Sequence, residues 1–168
     1  VVSAIECVAS ALVHIHERGV AHNDIKPSNI VLGRSETLII DFDAASEVGA
    51  HGGRRPIGTV DYLSNESLSE LSDNCQLVGQ NCILDDHFAF VVTCYEMLAG
   101  TLPWTRYCGK ITPAMCKSLI EERCKLSEKC LADNSIPPEL AATFFQVFTS
   151  RVAPPCPVEF ARQIKASY

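Results

Sequence analysis

Long apolar runs are missing from this chain, since no segment approaches the roughly eighteen consecutive apolar residues that a membrane-spanning helix needs. Its first residues also lack the positively charged start and apolar core of a secretory signal peptide. Hydrophobic residues make up 47% and charged residues 20% of the 168 residues, which is ordinary for one globular domain with a substantial core. The sequence therefore predicts a single domain with no membrane partner.

Positive charge is scarce as well. The chain has 14 Lys and Arg against 20 Asp and Glu, so its formal net charge is −6. A surface that binds nucleic acid needs clustered basic side chains to neutralise the phosphates, which usually makes the domain basic. The acidic balance of this chain argues against a nucleic-acid partner.

Metal-binding cysteine pairs are absent, although the chain has nine cysteines. None forms C-x-x-C, and the group between Cys108 and Cys130 is irregularly spaced without His partners, so a zinc site is not expected. An odd count without a disulfide framework favours a reducing compartment, and we expect an intracellular, cytoplasmic protein. Cys7 and Cys94 fall within apolar helical patterns and are predicted to lie in the core.

The most informative motif is HNDIKPSN at residues 22–29, followed by DFD at 41–43. Two apolar runs between these motifs, at 30–32 and 38–40, are predicted to pair as a β-hairpin that delivers both motifs to one edge of the fold. The order of the motifs resembles the catalytic loop (22–29) and the metal-binding loop (41–43) of eukaryotic-type protein kinases.

This resemblance implies roles for particular side chains. Asp24 would accept or orient the proton of the acceptor hydroxyl as the catalytic base, and Lys26 would reach the γ-phosphate of ATP. Asn29 and Asp41 would provide oxygen ligands for Mg²⁺ and so help to bind the nucleotide. ATP and Mg²⁺ are therefore the expected cofactors. His22 is expected to brace the loop through a hydrogen bond to the backbone near Asp41.

Small-molecule kinases of the aminoglycoside and choline type look similar here, because Asn23 and Asp43 stand where most protein kinases have Arg and Gly. Two later segments favour the protein kinases. The sequence GTVDYLSNE at 58–66 resembles the end of an activation segment, which would span 41–66, and small-molecule kinases have no such segment. The central helix of the protein kinase fold is expected at 86–99.

The pair Lys26-Pro27 and Thr59 resemble the serine/threonine class. The expected activity is therefore transfer of the ATP γ-phosphoryl group to a Ser or Thr hydroxyl of a protein substrate. Asn23 lacks the guanidinium that commonly pairs with a phosphorylated activation segment. Asp43 lacks the backbone freedom of Gly beside the metal site. These departures leave a second interpretation open: a catalytically impaired pseudokinase lobe that acts as a protein-binding or regulatory module.

Neither a G-x-G-x-x-G phosphate loop nor a V-A-I-K strand lysine occurs in the sequence. We therefore expect residues 1–168 to form only the carboxy-terminal lobe of a protein kinase domain, as an inactive fragment of a longer chain. The missing N-terminal lobe, which binds the nucleotide, is its expected partner. The predicted fold class is mainly α with a short β-hairpin, within the α+β fold of the parent domain.

Helices are also predicted outside the motifs. Apolar spacing indicates a first helix over about 2–17 that ends before Gly19, and prolines open predicted helices near 113–125, 138–150 and 157–166. These helices would complete the lobe.

Three further expectations concern tertiary contacts. Asp86 either caps the central helix or holds the backbone of the catalytic loop through its carboxylate. Glu66 is expected to pair with a nearby arginine, either Arg151 or Arg162. Residues 69–74 are polar and are predicted to form an exposed insertion.

Overall fold

The structure is a computed structural model that describes residues 1–33, 36–49, 57–74, 76–77, 82–132 and 136–168. The tip of the predicted hairpin (34–35) and residues 50–56 of the predicted activation segment lie outside the described residues. Within these ranges the chain is mainly α-helical with four short strands, which confirms the predicted fold class.

The described helices and strands follow the chain in this order: α1 Val2–His16, β1 Val20–Ala21, β2 Ile30–Leu32, β3 Thr37–Ile39, β4 Ser46–Glu47, α2 Asn65–Asn74, α3 Cys82–Ala99, α4 Pro113–Cys124, α5 Glu128–Ala132, α6 Pro138–Phe148 and α7 Pro157–Ser167. Two single turns of 3-10 helix, at Pro27–Asn29 and Val60–Tyr62, lie beside the motifs. Helices α4, α6 and α7 each begin with proline at the first helical turn, as the sequence predicted.

The predicted hairpin is confirmed. Strands β2 and β3 are antiparallel, with Ile30 opposite Ile39. The Ile40 amide then donates to the Asn29 carbonyl at 2.9 Å, so the pairing continues up to the two motifs. A second short ladder pairs β1 with β4 and ties the residues before the 22–29 motif to those after the 41–43 motif. The two motifs are therefore held together at both ends.

Helix α3 lies at the centre of the lobe and contacts α1, α6 and α7. It begins at Cys82 rather than at the predicted residue 86, so Asp86 lies inside the helix. Most of its side chains are buried, because other helices surround it on several sides. Gly100 ends it with a φ of +78°, a left-handed conformation that glycine adopts without steric cost.

Aromatic rings fill the space between α3 and α6. Tyr95 meets the ring of Phe144 edge to face at 5.1 Å between centroids, and Trp104 meets Phe148 in the same way at 5.0 Å. Phe160 of α7 packs against Phe144 at 5.4 Å. Edge-to-face pairs of this kind stabilise a core beyond the burial of their area alone. The lobe therefore has a rigid body on which the site can be built.

Residues 69–74, predicted to form an exposed insertion, are exposed only in part, at Ser69, Asp73 and Asn74. These residues belong to α2, and both Leu68 and Leu71 of this helix are buried. The two leucines are three residues apart, which places them on one helical face, and α2 packs against α4. Cys7 was also predicted to be buried but is exposed on α1, whereas Cys94 lies in the core as predicted.

None of the described helices has the length and apolarity needed to cross a lipid bilayer.

Candidate active site

The 22–29 loop is fixed from one side by Asp86. The carboxylate of this buried residue accepts the backbone N–H groups of His22 and Asn23, each at 2.7 Å. It also binds Nε2 of His16 at 2.8 Å. Of the two predicted roles of Asp86, the grip on the loop backbone is correct and the helix cap is wrong, because α3 begins four residues earlier.

His22 braces the loop from inside, as predicted. Its Nε2 lies 3.1 Å from the Ile40 carbonyl, and its Nδ1 lies 3.3 Å from the Asp24 amide. A carbonyl requires a donor and an amide N–H requires an acceptor, so the geometry fits the neutral ring with its proton on Nε2. The Phe42 ring packs edge to face on the imidazole at 4.6 Å. His22 thus connects the loop to the strand that precedes Asp41.

Asn23 adopts a left-handed backbone conformation with a φ of +63°. Asparagine tolerates this region better than most residues do. Its Nδ2 donates to the Ala44 carbonyl and to the Ser46 hydroxyl, both at 2.9 Å. The amide that replaces the usual arginine therefore ties the loop to the residues around β4.

Four hydrogen bonds converge on the carboxylate of Asp24. Lys26 Nζ and Asn29 Nδ2 donate to Oδ2 at 2.7 and 3.1 Å. The amide and the hydroxyl of Thr59 both donate to Oδ1 at 2.8 Å. Burial raises the pKa of this carboxyl, but the hydrogen bonds from Lys26 and Thr59 and the charge of Lys26 outweigh burial, so its pKa lies below the ordinary value. Asp24 is therefore anionic at neutral pH.

Gly58 allows Thr59 to reach Asp24. A Cβ atom on Gly58 would lie 2.1 Å from the Asn23 carbonyl oxygen, which is far inside van der Waals contact. No other residue type fits there without a shift of the backbone. The Thr59 hydroxyl also accepts a hydrogen bond from Lys26 Nζ at 2.7 Å. The sequence singled out Thr59 only as a mark of the serine/threonine class and did not predict this contact.

Asn29 and Asp41 flank the end of the hairpin. Asn29 is buried, and its Nδ2 donates to the Asp24 carbonyl at 2.9 Å in addition to the Asp24 carboxylate, which leaves Oδ1 as the atom suited to a cation. Asp41 is exposed and has a φ of +65°. One amide and one carboxylate oxygen fit the hard-oxygen preference of Mg²⁺. Within the described residues, no group of three or more His, Cys, Asp or Glu side chains could bind a metal ion.

The sequence missed Arg123, which anchors the end of the 57–66 segment. This fully buried residue of α4 donates to the carbonyls of Asp61 and Leu63, both at 2.7 Å, and to Asn65 Oδ1 at 2.9 Å. Its guanidinium lies 4.3 Å from the centroid of the Trp104 ring. Burial lowers the pKa of Arg123 to about 9, still well above neutral pH.

The predicted ion pair of Glu66 with Arg151 or Arg162 is not found among the described residues. Glu66 and Arg151 line the same cavity of about 290 Å³, and Arg151 instead lies 4.4 Å from the centroid of the Phe145 ring. In the sequence, only Asn65 pointed to the role of Arg123, whose guanidinium donates to its side chain. It stands where the resemblance expects Pro, and its side-chain oxygen is an acceptor that Pro lacks.

A groove beside Asp24 is a second feature of the site. It has a volume of about 410 Å³ and is lined by Lys26, Thr59, Tyr62, Glu96 and Arg106, among others. The Tyr62 hydroxyl and the Arg106 guanidinium both donate to the Glu96 carboxylate. The groove thus runs from Lys26, which pairs with Asp24, to the ion pair between Glu96 of α3 and Arg106.

Comparisons with known proteins identify the same family throughout. The family model described as "Protein kinase domain" matches residues 1–149. The chain is 34% identical over 95 residues to the mouse (Mus musculus) Citron Rho-interacting kinase, which covers 54% of this chain and 4% of the relative. It is 34% identical over 107 residues to an Aurora kinase of Eremothecium gossypii, covering 62% of this chain and 27% of the relative.

A solved structure has the same fold. The Cydia pomonella Granulovirus kinase, PK-1, superposes with a TM-score of 0.57 at 21% identity and covers 92% of this chain. The chain corresponds to 57% of that structure and to 4 and 27% of the two curated relatives. The predicted resemblance to a lobe of the kinase fold is confirmed.

Proposed function

The chain belongs to the protein kinase domain family, and on that basis we propose that it is the phosphoryl-transfer lobe of a protein serine/threonine kinase. The reaction moves the γ-phosphoryl group of ATP to a Ser or Thr hydroxyl of a protein substrate. One observation carries the proposal: Lys26, Asn29 and Thr59 converge on the carboxylate of Asp24. This arrangement holds the anionic carboxylate of Asp24 in one orientation beside an open groove.

Asp24 is proposed to receive the acceptor hydroxyl. A carboxylate with a lowered pKa is a weak base, so its contribution is to orient the hydroxyl and to take the proton as the new bond forms. Lys26 uses two of its three N–H donors on Asp24 and Thr59, and the third is proposed to contact an oxygen of the transferring phosphate.

Asn29 and Asp41 are proposed to bind Mg²⁺ through Oδ1 and the carboxylate. When bound, Mg²⁺ would neutralise charge on the phosphate oxygens. The inward hydrogen bonds of the Asn29 amide nitrogen support this role, because they orient the side chain before any ligand arrives. The left-handed backbone of Asp41 supports it as well, since such conformations are concentrated at functional sites.

A nucleotide-binding lobe is proposed to cover the hairpin. Four apolar side chains around the site, those of Val31, Leu32, Leu38 and Phe42, are between 44 and 61% exposed. Val31 and Leu38 lie opposite each other on the two strands, so they share one face of the hairpin. Exposed apolar surface of this kind usually marks a place where another body docks. An intracellular location is also proposed, and it agrees with the absence of disulfides among the described cysteines.

Phosphate transfer from ATP to a generic serine/threonine peptide in the presence of Mg²⁺ tests the proposal. The 168-residue chain is compared with a longer form that carries a nucleotide-binding lobe, and only the longer form is expected to be active. In that form, Asp24→Asn should lower the rate by roughly a hundredfold or more, since positioned proton-transfer groups contribute about 10²–10⁴. Asp41→Ala should also lower the rate strongly, since it removes a proposed ligand of Mg²⁺.

Asp73→Ala is the matched control, because Asp73 is an exposed carboxylate on α2 away from the loop. It should leave the rate unchanged. Unchanged transfer in both site variants would contradict the assigned roles.

A pseudokinase lobe that binds a protein partner is the second candidate. The exposed apolar hairpin favours it, because docking alone requires no chemistry. Asp43 favours it too, since it places a second exposed carboxylate beside Asp41. A longer form that neither transfers phosphate nor binds ATP, yet still binds a partner through the hairpin, would establish this candidate and exclude the first.

A further inference from the structure

Lys26, Glu96 and Arg106 line the groove, and each of them belongs to an ion pair. Asp24 pairs with Lys26 at 2.7 Å, and Glu96 pairs with Arg106. Both oxygens of each carboxylate accept hydrogen bonds, those of Asp24 from Lys26, Asn29 and Thr59. The oxygens of Glu96 accept from Tyr62 and Arg106. The carboxylates of both ion pairs are therefore occupied within the protein.

The basic side chains of the groove are more exposed to solvent than the carboxylates with which they pair. The Arg106 side chain is 52% exposed and the Glu96 side chain 14%. The corresponding values are 22% for Lys26 and 13% for Asp24. A guanidinium has five N–H donors, and the exposed part of Arg106 keeps some of them in contact with water. Solvent therefore meets positive charge before it meets negative charge.

The charge of Asp61, which interacts with that of Arg106, does not change this order. Asp61 is buried, and its Oδ1 accepts the Tyr107 amide at 3.3 Å, so its carboxylate lies inside the fold. A ligand that enters from solvent would reach the Arg106 guanidinium first. A cationic side chain would have to displace Arg106 from Glu96 before it could form an ion pair.

We propose that Arg106 selects substrates with an acidic side chain near the acceptor hydroxyl, and that it withholds Glu96 from basic side chains. This inference rests on the proposed function, because it assumes that a peptide lies in the groove. Arginine suits the role, since its planar fork can hold Glu96 on one side and a substrate carboxylate on the other.

Peptide binding to the 168-residue chain at low ionic strength tests the inference. The probes are fluorescent serine peptides that differ in one residue, which is Asp, Ala or Lys at each of three positions on either side of the serine. At one or more positions the Asp peptide should bind about fivefold more tightly than the Lys peptide, which is the upper range for a half-exposed ion pair.

The Arg106→Ala variant gives the decisive comparison. It removes the cation and also frees the Glu96 carboxylate, so the preference should reverse in favour of the Lys peptide. The double variant Arg106→Ala with Glu96→Gln should show no preference. If Arg106 had a purely structural role, Arg106→Ala would weaken the binding of every peptide by the same factor. The ratio of the affinities for the Asp and Lys peptides would then stay unchanged.

Arg151→Ala is the matched control, since this arginine packs on Phe145 rather than in the groove. It should keep the wild-type ratio, and thermal melts of all variants confirm that each is folded. Equal binding of Asp and Lys peptides at every position, including no binding of either, would overturn the inference, as would an unchanged ratio in Arg106→Ala.

The two proposals fail separately. Peptide discrimination by this chain without phosphate transfer by the longer form removes the kinase assignment but leaves the acid-selective groove. If the longer form transfers phosphate but the 168-residue chain does not discriminate between Asp and Lys peptides, only the groove proposal is removed.

Discussion

The 22–29 loop has two sides that are held in different ways. On one side, the buried Asp86 of α3 accepts two backbone amides, and the half-buried Thr59 of the 57–66 segment donates to the Asp24 carboxylate. On the other side, the hairpin presents Val31 and Leu38 to solvent. The side chains on the first side are fixed by the lobe itself, whereas the surface on the second side remains open.

This difference separates the two halves of the proposed chemistry. Asp24 and Lys26 are oriented by contacts that are complete within the lobe. Asp41 is exposed, and its backbone is held by the pairing of Ile40 with Asn29. In the proposed function, acceptor positioning would therefore depend on this lobe alone, while metal and nucleotide binding would also depend on what covers the hairpin.

Loss of Asp86 should have the largest effect. Asp86→Ala leaves two buried amides and His16 without their acceptor, which should lower the free energy of unfolding by roughly 3–5 kcal/mol. Urea denaturation measures this change, and Asp73→Ala at an exposed position of α2 should cost no more than about 0.5 kcal/mol. Equal costs for the two variants would show that Asp86 does not hold the loop.

The same substitution at two glycines compares the sides directly. Gly58→Ala forces a Cβ to within 2.1 Å of the Asn23 carbonyl and should cost about 1–3 kcal/mol while separating Thr59 from Asp24. Gly33→Ala on the hairpin meets the Glu36 carbonyl at 3.0 Å and should cost less than Gly58→Ala. Urea melts give both values. A larger loss at Gly33 would show that the hairpin is the more tightly packed side.

His87 should make the α3 side sensitive to acid. Burial, together with the charge of His16, lowers the pKa of His87 to about 4, against 6.5 ordinarily, and Asp86 opposes the shift. Between these values the unfolded chain binds more protons, so stability should fall as the pH falls from 6.5 to 4. After allowance for partial exposure the loss should be about 1–2 kcal/mol.

His87→Gln should flatten this pH dependence, as measured by urea melts across the same range. The wild-type slope is the reference. An identical slope in the variant would assign the acid sensitivity to other groups.

The hairpin should give the smallest effect on folding. Leu38→Ser replaces an exposed leucine and should change the free energy of unfolding by less than about 0.5 kcal/mol. In a longer form with a nucleotide-binding lobe, the same change should weaken nucleotide-dependent transfer, because it removes docking surface. A large loss of stability in the isolated chain would show that the hairpin is integral to the core.

Local patterns predicted much of the site. The β2–β3 hairpin follows from two clear apolar runs, and the bracing role of His22 was also predicted. The contacts of Lys26 and Asn29 with Asp24 were not predicted, although all three residues lie in the 22–29 motif. The two letters that depart from the kinase pattern were visible too. The partners of the Asn23 side chain were not visible in the sequence, since Ala44 and Ser46 follow Asn23 by about twenty residues.

Contacts between distant residues were beyond the reach of local patterns. Arg123 meets Asn65 across 58 positions, and nothing near Arg123 marks it as buried. An arginine in a polar helix is ordinarily exposed, and only the packing of α4 on α2 reverses that expectation. The pairing of Arg106 with Glu96 likewise depends on how the residues after Trp104 fold back on α3.

The reactivity of the Cys94 thiol can report how often the core of the lobe opens. Burial raises the pKa of this thiol well above its ordinary value, so almost none of the reactive thiolate is present while α3 stays packed. Cys108 is exposed and can be alkylated at once. The delay between the two labelling reactions, read by mass spectrometry on the unmodified sequence, reports how often the centre of the molecule opens.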